Sequence, residues 1–382
     1  NSMAETNWFH ISNANEIDSP ALLVYHDRVK ANIQTAIKMI GDLNRLRPHV
    51  KTNKCAQVVQ LMTDAGIYKF KCATIAEAEM LGIQKATDVL LVYQPVGPKL
   101  HRFIALINKY PATIFSCLTD NMVAAAAQSK AFTEAGLQVP VYIDLNIGMN
   151  RTGINPGNEA LELYKYCSTA AGIIIKGLHA YDGHIRDIDF EVKKKNCDDA
   201  FALVELLVNK IEAARLPKPI IIAGGSPAFS VHCRRKSIEC SPGTFIYWDQ
   251  GYSVLCPEQD FIPAAVLLTR VVSLPGEEKI CTDLGHKSVA SENEISKRVF
   301  FPEFECLHVI SQSEEHLVLE NKSETKFTPG DILYGIPWHI CPTVALYDSI
   351  KIIENGQYCA DWKNIARDMK ITILPFFVSP KN

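Results

Sequence analysis

The stretch Leu46-Arg47-Pro48-His49-Val50-Lys51-Thr52-Asn53-Lys54 decides how the chain is interpreted, because a short apolar strand in it ends at a lysine. A lysine amine attacks a carbonyl group only when it is unprotonated, and burial or a nearby cation lowers its pKa toward that state. Lys54 is close enough in sequence to be that cation. A lysine that begins a loop can equally point into solvent, so the surrounding pattern must decide.

Apolar runs of strand length recur along the chain and alternate with segments of helical periodicity. The runs lie at 46–50, 70–74, 89–93, 112–115, 139–145, 173–179, 219–223 and 238–247. Alternation of strand and helix predicts parallel strands with right-handed crossovers, and eight such units can close into a barrel. Lys51 would then lie at the carboxyl end of the first strand, on the face where such barrels assemble their active sites.

The pattern changes beyond about residue 256. Shorter alternating segments at 265–272, 307–310 and 317–320, with a Pro-Gly-Asp turn, predict antiparallel strands, and we expect the early strand at 21–25 to join them. The predicted class is therefore α/β: a (β/α)8 TIM-type barrel over 27–255 and a separate antiparallel β domain made of 1–26 and 256–382.

Two helix starts can be predicted from capping residues. Asp27 is a plausible N-cap for a helix that ends at Gly41, and Thr74 followed by Glu77 is typical of a capped start. Both helices fit the alternation of strand and helix in the barrel.

Composition excludes several classes of protein. The chain has 382 residues, 47% hydrophobic and 21% charged, with a formal net charge of −3, so nothing indicates binding to nucleic acid or to an anionic membrane. No apolar stretch reaches the roughly 18 residues of a membrane-spanning helix, and the N-terminal residues do not resemble a signal peptide, so we expect a cytoplasmic protein. The twelve cysteines show no paired spacing and are expected to be reduced.

Polar residues follow several predicted strands and are candidates for binding. Arg151 lies in the loop after the fifth strand, and Tyr181 and His184 follow the sixth. Gly224-Gly225-Ser226 ends the seventh strand, where backbone amides and a hydroxyl suit a phosphate group, although the same residues also form ordinary tight turns. The spacing of the glycines does not match a nucleotide-binding motif.

Near the C-terminus, Pro337-Trp338-His339-Ile340-Cys341-Pro342-Thr343 contains a second candidate site. Residues two apart on an extended segment face the same side, so His339 and Cys341 could hold one ion, and an imidazole with a thiolate favours zinc. Two protein ligands leave positions for water or substrate, as a catalytic metal requires. A purely structural role for the pair stays open.

Taken together, these motifs resemble the D-serine dehydratase and D-threonine aldolase family over nearly the whole chain. The resemblance rests on six segments, which are Arg47-Pro48-His49-Val50-Lys51-Thr52, Cys72-Ala73-Thr74 with Glu77-Ala78-Glu79, Arg151-Thr152-Gly153, Tyr181-Asp182-Gly183-His184, Gly224-Gly225-Ser226 and His339-Ile340-Cys341-Pro342-Thr343. It implies an alanine racemase-like fold, pyridoxal 5'-phosphate, a divalent metal beside the cofactor, and a homodimer in which the partner's β domain closes each active site.

The resemblance also implies roles for single residues. Lys51 would hold the cofactor as a Schiff base, Arg151 would lie near its phenolic oxygen, and Tyr181 would face its pyridine nitrogen. The phosphate would be bound by Gly224, Gly225 and Ser226, and Zn2+ or another divalent metal by His339 and Cys341. A tyrosine at the ring nitrogen implies a weaker electron sink, so the metal would supply part of the activation.

The implied substrate is a β-hydroxy-D-amino acid. Cys341 resembles the dehydratase pattern, which favours conversion of D-serine to pyruvate and ammonia, whereas the residues around 342–348 are similar to those of aldolases, which cleave D-threonine to glycine and an aldehyde. An amino-acid racemase is a more distant alternative, because it needs no metal. A non-catalytic cofactor carrier is a further alternative, against which the β domain argues.

Overall fold

The structure is a computed structural model that describes residues 7–375. Its strands are β1 (Ala21–Tyr25), β2 (Lys69–Cys72), β3 (Asp88–Leu91), β4 (Ile114–Thr119), β5 (Val139–Leu145), β6 (Ile173–Ala180), β7 (Ile220–Ala223), β8 (Ile238–Glu239), β9 (Ala265–Gly276), β10 (Lys279–Thr282), β11 (Val299–Phe300), β12 (Leu307–Gln312), β13 (Leu317–Asn321), β14 (Ile332–Pro337), β15 (Ser349–Glu354) and β16 (Gln357–Lys363). Its helices are α1 (His26–Ile40), α2 (Ala56–Asp64), α3 (Ile75–Ile83), α4 (Pro98–Lys109), α5 (Met122–Glu134), α6 (Asn158–Thr169), α7 (Phe190–Ala213), α8 (Phe229–His232), α9 (Gln250–Leu255) and α10 (Ile340–Val344).

Two compact units are interleaved along the chain. The barrel unit comprises Ala36–Lys51, Val58–Gly243 and the described part of Ile365–Asn382. The β unit comprises the described part of Asn1–Thr35, Thr52–Gln57 and Thr244–Asn364. The chain therefore passes from the barrel unit into the β unit directly after Lys51.

Seven parallel strands, β2 to β8, form the sheet of the barrel unit in chain order. The stretch at 46–50 joins its two edges. On one side the Arg47 N–H donates to Cys240 C=O (2.8 Å), and on the other the Lys71 N–H donates to Pro48 C=O (2.8 Å). The predicted first strand therefore closes the barrel, although only isolated bridges, such as that between His49 and Lys71, connect it to the sheet.

A buried ion-pair network strengthens this closure. Arg47 is fully buried and binds Asp88 on β3 (2.8 Å) and Glu239 on β8 (2.8 Å), and Lys69 on β2 also binds Glu239 (2.6 Å). Burial lowers the pKa of Arg47, but the two carboxylates outweigh this and raise it, so the guanidinium stays charged. One side chain thus links the closing stretch to both sides of the barrel.

Several predicted element limits need correction. The last barrel strand is only Ile238–Glu239, because Pro242 and Gly243 interrupt the apolar run, and a 3-10 turn follows at Thr244–Ile246. The fourth strand runs over Ile114–Thr119 rather than 112–115. Its later part includes the buried polar residues Ser116 and Thr119, which interrupt the apolar pattern used for the prediction. Helix α1 begins at His26, so Asp27 lies in its first turn and is not its N-cap.

Other local predictions are confirmed. The Thr74 side chain accepts from the Glu77 N–H (3.0 Å), and the Glu77 carboxylate accepts from the Ala73 N–H (2.9 Å). These two bonds satisfy backbone donors at the start of α3, as in a capping box. Helix α2 follows Lys51, and Gly66 after its end has a φ of +95°.

The β unit is built around the long strand β9, which pairs antiparallel with β1, β10 and β14. The early strand β1 joins this sheet as predicted and also pairs parallel with β15, so the sheet is mostly, not wholly, antiparallel. A core cluster with Phe9, Leu23 and Val266 covers one face of the sheet.

Two expectations from the composition concern the cysteines and the helices. The twelve cysteines all lie within residues 7–375 and form no disulfide among these residues, and nine of them are buried. Among residues 7–375, none of the helices combines the length and the apolar character needed to cross a lipid bilayer.

Candidate active site

The barrel unit contains a cavity at the carboxyl ends of its strands, and it brings Lys51, Arg151 and Tyr181 together. Lys51 ends the closing stretch, Arg151 follows β5, and Tyr181 follows β6. The full lining consists of His49, Lys51, Lys71, Val92, Leu118, Asp144, Leu145, Met149, Arg151, Thr152, His179 and Tyr181. Three cationic side chains and one carboxylate face this space, so it suits a ligand with negative charge.

The ring of Tyr181 is held by a cation and two glycines. The Arg151 guanidinium carbon lies 5.1 Å from the ring centroid. A Cβ atom on Gly183 would lie 2.2 Å from Tyr181 Cζ, and one on Gly225 would lie 2.7 Å from Tyr181 Cε2. Any larger residue at either position would displace the ring, so the two glycines determine where Tyr181 lies.

The loop at Gly224-Gly225-Ser226 also packs closely against neighbouring parts of the protein. Gly224 has a φ of +85°, and a Cβ there would lie 2.9 Å from His232 Cβ. Ser226 Oγ accepts from the Gly243 N–H (3.4 Å), which ties the loop after β7 to the segment after β8. This loop was predicted to suit a phosphate group, and the structure adds that the protein's own side chains leave no room for residues larger than Gly224 and Gly225.

A buried polar cluster formed by Asp182, Cys197 and His232 lies behind this loop, with ligand atoms within 4.8 Å of one another. The Arg235 Nε–H donates to His232 Nδ1 (3.3 Å), so in a neutral ring His232 Nε2 carries the proton and donates to Asp182 (2.6 Å). A protonated Nε2 has no lone pair for a metal, and Nδ1 already accepts from Arg235, so His232 packs against Gly224 instead of binding an ion.

Sequence reasoning missed three polar residues of the cavity, which are Lys71, Asp144 and His179. His179 Nδ1 lies 2.8 Å from the Asp144 carboxylate, which also accepts from Thr152 Oγ1 (2.8 Å). Burial lowers the pKa of His179, although Asp144 opposes the effect. Polar residues inside otherwise apolar strands were the clue that could have located all three.

Lys71 is the second amine of the cavity and is only 4% exposed. Burial lowers its pKa, the charge of Lys51 lowers it further, and Asp144 opposes both, with a resulting pKa of about 7. The sequence suggested Lys54 as the nearby cation, but the second lysine that lines the cavity with Lys51 is Lys71, from the adjacent strand. Proximity in sequence did not identify the nearby cation, because the pairing of strands decides which side chains lie close to Lys51.

His184 does not line this cavity. Its side chain is exposed and lies over the loop after β5, where a Cβ on Gly148 would be 2.4 Å from His184 Nε2. The contact explains why a glycine with a φ of +129° stands at 148.

In the β unit, His339 and Cys341 lie at the start of α10. The predicted extended segment is wrong, because His339 is extended but Cys341 is already in the helix Ile340–Val344. The two side chains nevertheless interact, because Cys341 is among the groups that raise the pKa of His339. Burial lowers the pKa of His339, but Cys341 and Glu292 outweigh it and raise the pKa to about 9.

Several residues around this pair were not predicted. Thr52, which follows Lys51 in the chain, has its Oγ1 3.0 Å from Cys341 Sγ, and Thr244 Oγ1 lies at 3.5 Å. The fully buried Asp249 accepts from the Ile340 N–H (2.9 Å) and caps α9. Glu292 contacts His339 Nδ1. An imidazole and a thiol held together in this way fit a zinc ion, since both are ligands that zinc prefers.

The fold and the cavity define a barrel protein of the alanine racemase-like class. Residues 24–251 match the model of the alanine racemase N-terminal domain, more than half of the chain, and residues 264–353 match a putative serine dehydratase domain. The chain therefore belongs to the family with the alanine racemase N-terminal domain. The two matched domains together confirm the resemblance to the D-serine dehydratase and D-threonine aldolase family.

Individual relatives agree over almost the full length. The chain is 25% identical to the 3-hydroxy-D-aspartate aldolase of Paracoccus denitrificans (strain Pd 1222), with 92% of both chains covered. It is 22% identical to the D-threo-3-hydroxyaspartate dehydratase of Delftia sp. (strain HT23), covering 91% of this chain and 97% of the relative. The crystal structure of D-threonine aldolase from Filomicrobium marinum superposes with a TM-score of 0.86 at 25% identity, covering 94% and 98% of the two chains.

Proposed function

We propose that this protein is a pyridoxal phosphate- and zinc-dependent lyase acting on β-hydroxy-D-amino acids. The observation that carries the proposal is the cavity in which Lys51, Arg151 and Tyr181 meet at the carboxyl ends of the barrel strands. The relatives are named as aldolases and a dehydratase for substrates of this chemical class.

The residues of the barrel unit fit pyridoxal phosphate. Lys51 would bind the cofactor covalently through Nζ, and the amides and hydroxyl of Gly224, Gly225 and Ser226 would bind its phosphate. Arg151 and Tyr181 would orient the ring. The cofactor, when bound, supplies an electron sink for charge that develops at the substrate Cα.

The residues of the β unit fit a zinc ion held by His339 and Cys341. Zinc, when bound, supplies a Lewis acid for the β-oxygen of the substrate. In a dehydration the Lys51 amine, set free when the substrate amine takes its place on the cofactor, would accept the proton from Cα as the β-hydroxyl group leaves. In an aldol cleavage the β-hydroxyl group would lose its proton as the Cα–Cβ bond breaks, so both reactions would use the same residues.

Dehydration of D-serine to pyruvate and ammonia is our first assignment, because Cys341 stands at the metal position. Aldol cleavage is the second candidate, and similarity to 3-hydroxy-D-aspartate aldolase and to the D-threonine aldolase structure favours it. A racemase is disfavoured because it would have no use for the paired imidazole and thiol.

We further propose the domain limits 27–255 for the cofactor domain and 1–26 with 256–382 for the β domain, a cytoplasmic location, and a homodimer with the active site at the interface. Exposed apolar side chains on β9, such as Val272 (46% exposed) and Leu274 (45% exposed), offer a surface for a partner subunit.

A substrate comparison tests the assignment. Purified protein reconstituted with pyridoxal phosphate is incubated with D-serine, D-threonine and D-3-hydroxyaspartate, with and without a chelator, and keto acid, glycine and aldehyde are assayed separately. We expect keto acid from D-serine, lost with the chelator and in Lys51→Ala. Glycine and aldehyde as the only products would replace dehydratase by aldolase, and no borohydride-reducible imine at Lys51 would refute the cofactor assignment.

A further inference from the structure

Glu292 contacts the imidazole of His339 through a single, defined pair of atoms. Its carboxylate Oε1 meets His339 Nδ1. Both side chains are partly exposed, at 46% for Glu292 and 41% for His339, so the contact lies where an ion and solvent can reach the ring.

This contact determines the tautomer of the ring. An ionised carboxylate can only accept hydrogen bonds, so Nδ1 must donate its proton to Glu292. When the ring is neutral, as a bound metal requires, the other nitrogen, Nε2, is then the one that carries the lone pair. A neutral ring with an available lone pair is the form that binds a metal ion.

The backbone near Glu292 is attached to the turn that carries His339. Thr343 Oγ1 donates to the His339 C=O (2.8 Å) and accepts from the Ala290 N–H (3.1 Å). Tyr347 OH donates to the Ser288 C=O (2.7 Å). Thr343 is fully buried, so its hydrogen bonds belong to the core of the β unit and not to the surface.

We infer that Glu292 is a positioning residue for the metal, which orients His339 and fixes its tautomer so that Nε2 binds the ion together with Cys341. The inference rests on the proposed function, because it assumes that His339 and Cys341 are metal ligands. Carboxylates that accept the second N–H of a metal-bound histidine raise the basicity of the ligand, and their loss commonly weakens metal binding about 10–100-fold.

The competing explanation is an ordinary surface ion pair, which would contribute little to any property of the protein. The two explanations differ in metal affinity. A surface pair predicts the same zinc affinity with and without Glu292, whereas a positioning residue predicts a loss that a nearby acidic residue does not reproduce.

The experiment measures zinc affinity of the full chain, without substrate, by competition with a colorimetric chelator. The variants are Glu292→Gln, Glu292→Asp and the matched control Glu294→Gln. The control removes a carboxylate of the same segment, which pairs with exposed Lys297 (2.8 Å). We expect about 10–100-fold weaker zinc binding for E292Q, a smaller loss for E292D, and a change below about twofold for E294Q. Circular dichroism verifies that each variant is folded.

The outcomes separate the inference from the proposed function. If His339→Ala abolishes binding but E292Q binds zinc as the unmodified chain does, the inference is overturned and the metal site stands. If the unmodified chain binds no more tightly than H339A, the metal site itself is refuted and the inference with it. A Co2+ derivative completes the test: unchanged coordination spectra in saturated E292Q support positioning, and an altered coordination number would make Glu292 a direct ligand and overturn it.

Discussion

Lys71 is a buried amine whose charge, and with it the charge of the cavity, changes near neutral pH. Its amine has no hydrogen-bond partner among residues 7–375, and it faces the charged groups Lys51, Asp144, Arg47 and Arg151. An amine in this setting gives up its proton near neutral pH, so Lys71 adds a titrating group to a cavity in which Lys51 is proposed to exchange protons.

Replacing Lys71 by Met should change how stability depends on pH. The folded pKa of about 7 lies below the unfolded value of about 10.4, so between these limits the unfolded chain binds more protons and stability rises with pH. The free energy of unfolding of the unmodified protein should therefore gain up to about 1.4 kcal/mol per pH unit relative to K71M between pH 7 and 10, with no further change below pH 7.

Urea unfolding of the cofactor-free proteins at pH 7, 8 and 9 measures this slope. Lys176→Met removes a lysine from the exposed side of β6 and serves as the control. Parallel stability curves for K71M and the unmodified protein would contradict a lowered pKa at Lys71.

At the scale of elements, barrel closure depends on a stretch that makes few sheet bonds of its own. The ion pairs of Arg47 with Asp88 and Glu239 compensate, because they connect this stretch with β3 and β8. Removing Arg47 would leave Glu239 with Lys69 alone and would take from Asp88 its buried partner, and losing one member of a buried ion pair costs more than the pair contributes.

Arg47→Gln should therefore destabilise the protein by about 3–5 kcal/mol, since Glu239 and Asp88 would lose their buried partner. Chemical denaturation at pH 7 measures the change. Lys165→Gln, which breaks an exposed pair with Glu162 (2.9 Å), should cost less than about 1 kcal/mol. Equal effects of the two substitutions would mean that Arg47 does not support barrel closure.

At the scale of the whole molecule, the chain order of the two units bears on the proposed chemistry. The chain leaves the barrel unit after Lys51, contributes Thr52–Gln57 to the β unit, and returns at Val58. Thr52 contacts Cys341 within the β unit. The segment that carries the proposed cofactor lysine thus continues into the surroundings of the proposed metal ligands.

The proposed homodimer makes a prediction about dilution. Sedimentation should give a dimer at micromolar concentration, and lyase activity per subunit should fall as dilution separates the subunits, because each active site is proposed to include the partner's β domain. Val272→Glu with Leu274→Glu should weaken association by placing charge on the exposed side of β9. A monomer with full activity at high dilution would refute the interface site.

Some helix and strand limits could be predicted from neighbouring residues in the sequence, and others could not. The capped start of α3 follows from Thr74 and Glu77, and β9 follows from its alternating pattern, because both depend on neighbours in the chain. The eighth barrel strand was too long in prediction because an apolar run does not reveal that its later residues form a loop and a turn.

The sequence alone determined the fold class, the lysine at the end of the first barrel strand, and the candidate residues at 151, 181, 224–226, 339 and 341, because periodicity and strand ends are properties of consecutive residues. Only the tertiary structure decided what surrounds them. Strand pairing places Lys71 in the cavity. Glu292 contacts His339 although the two are 47 residues apart, and the hydrogen bond between Asp182 and His232 joins residues 50 apart. Such contacts depend on how distant segments pack, and no local pattern encodes that distance.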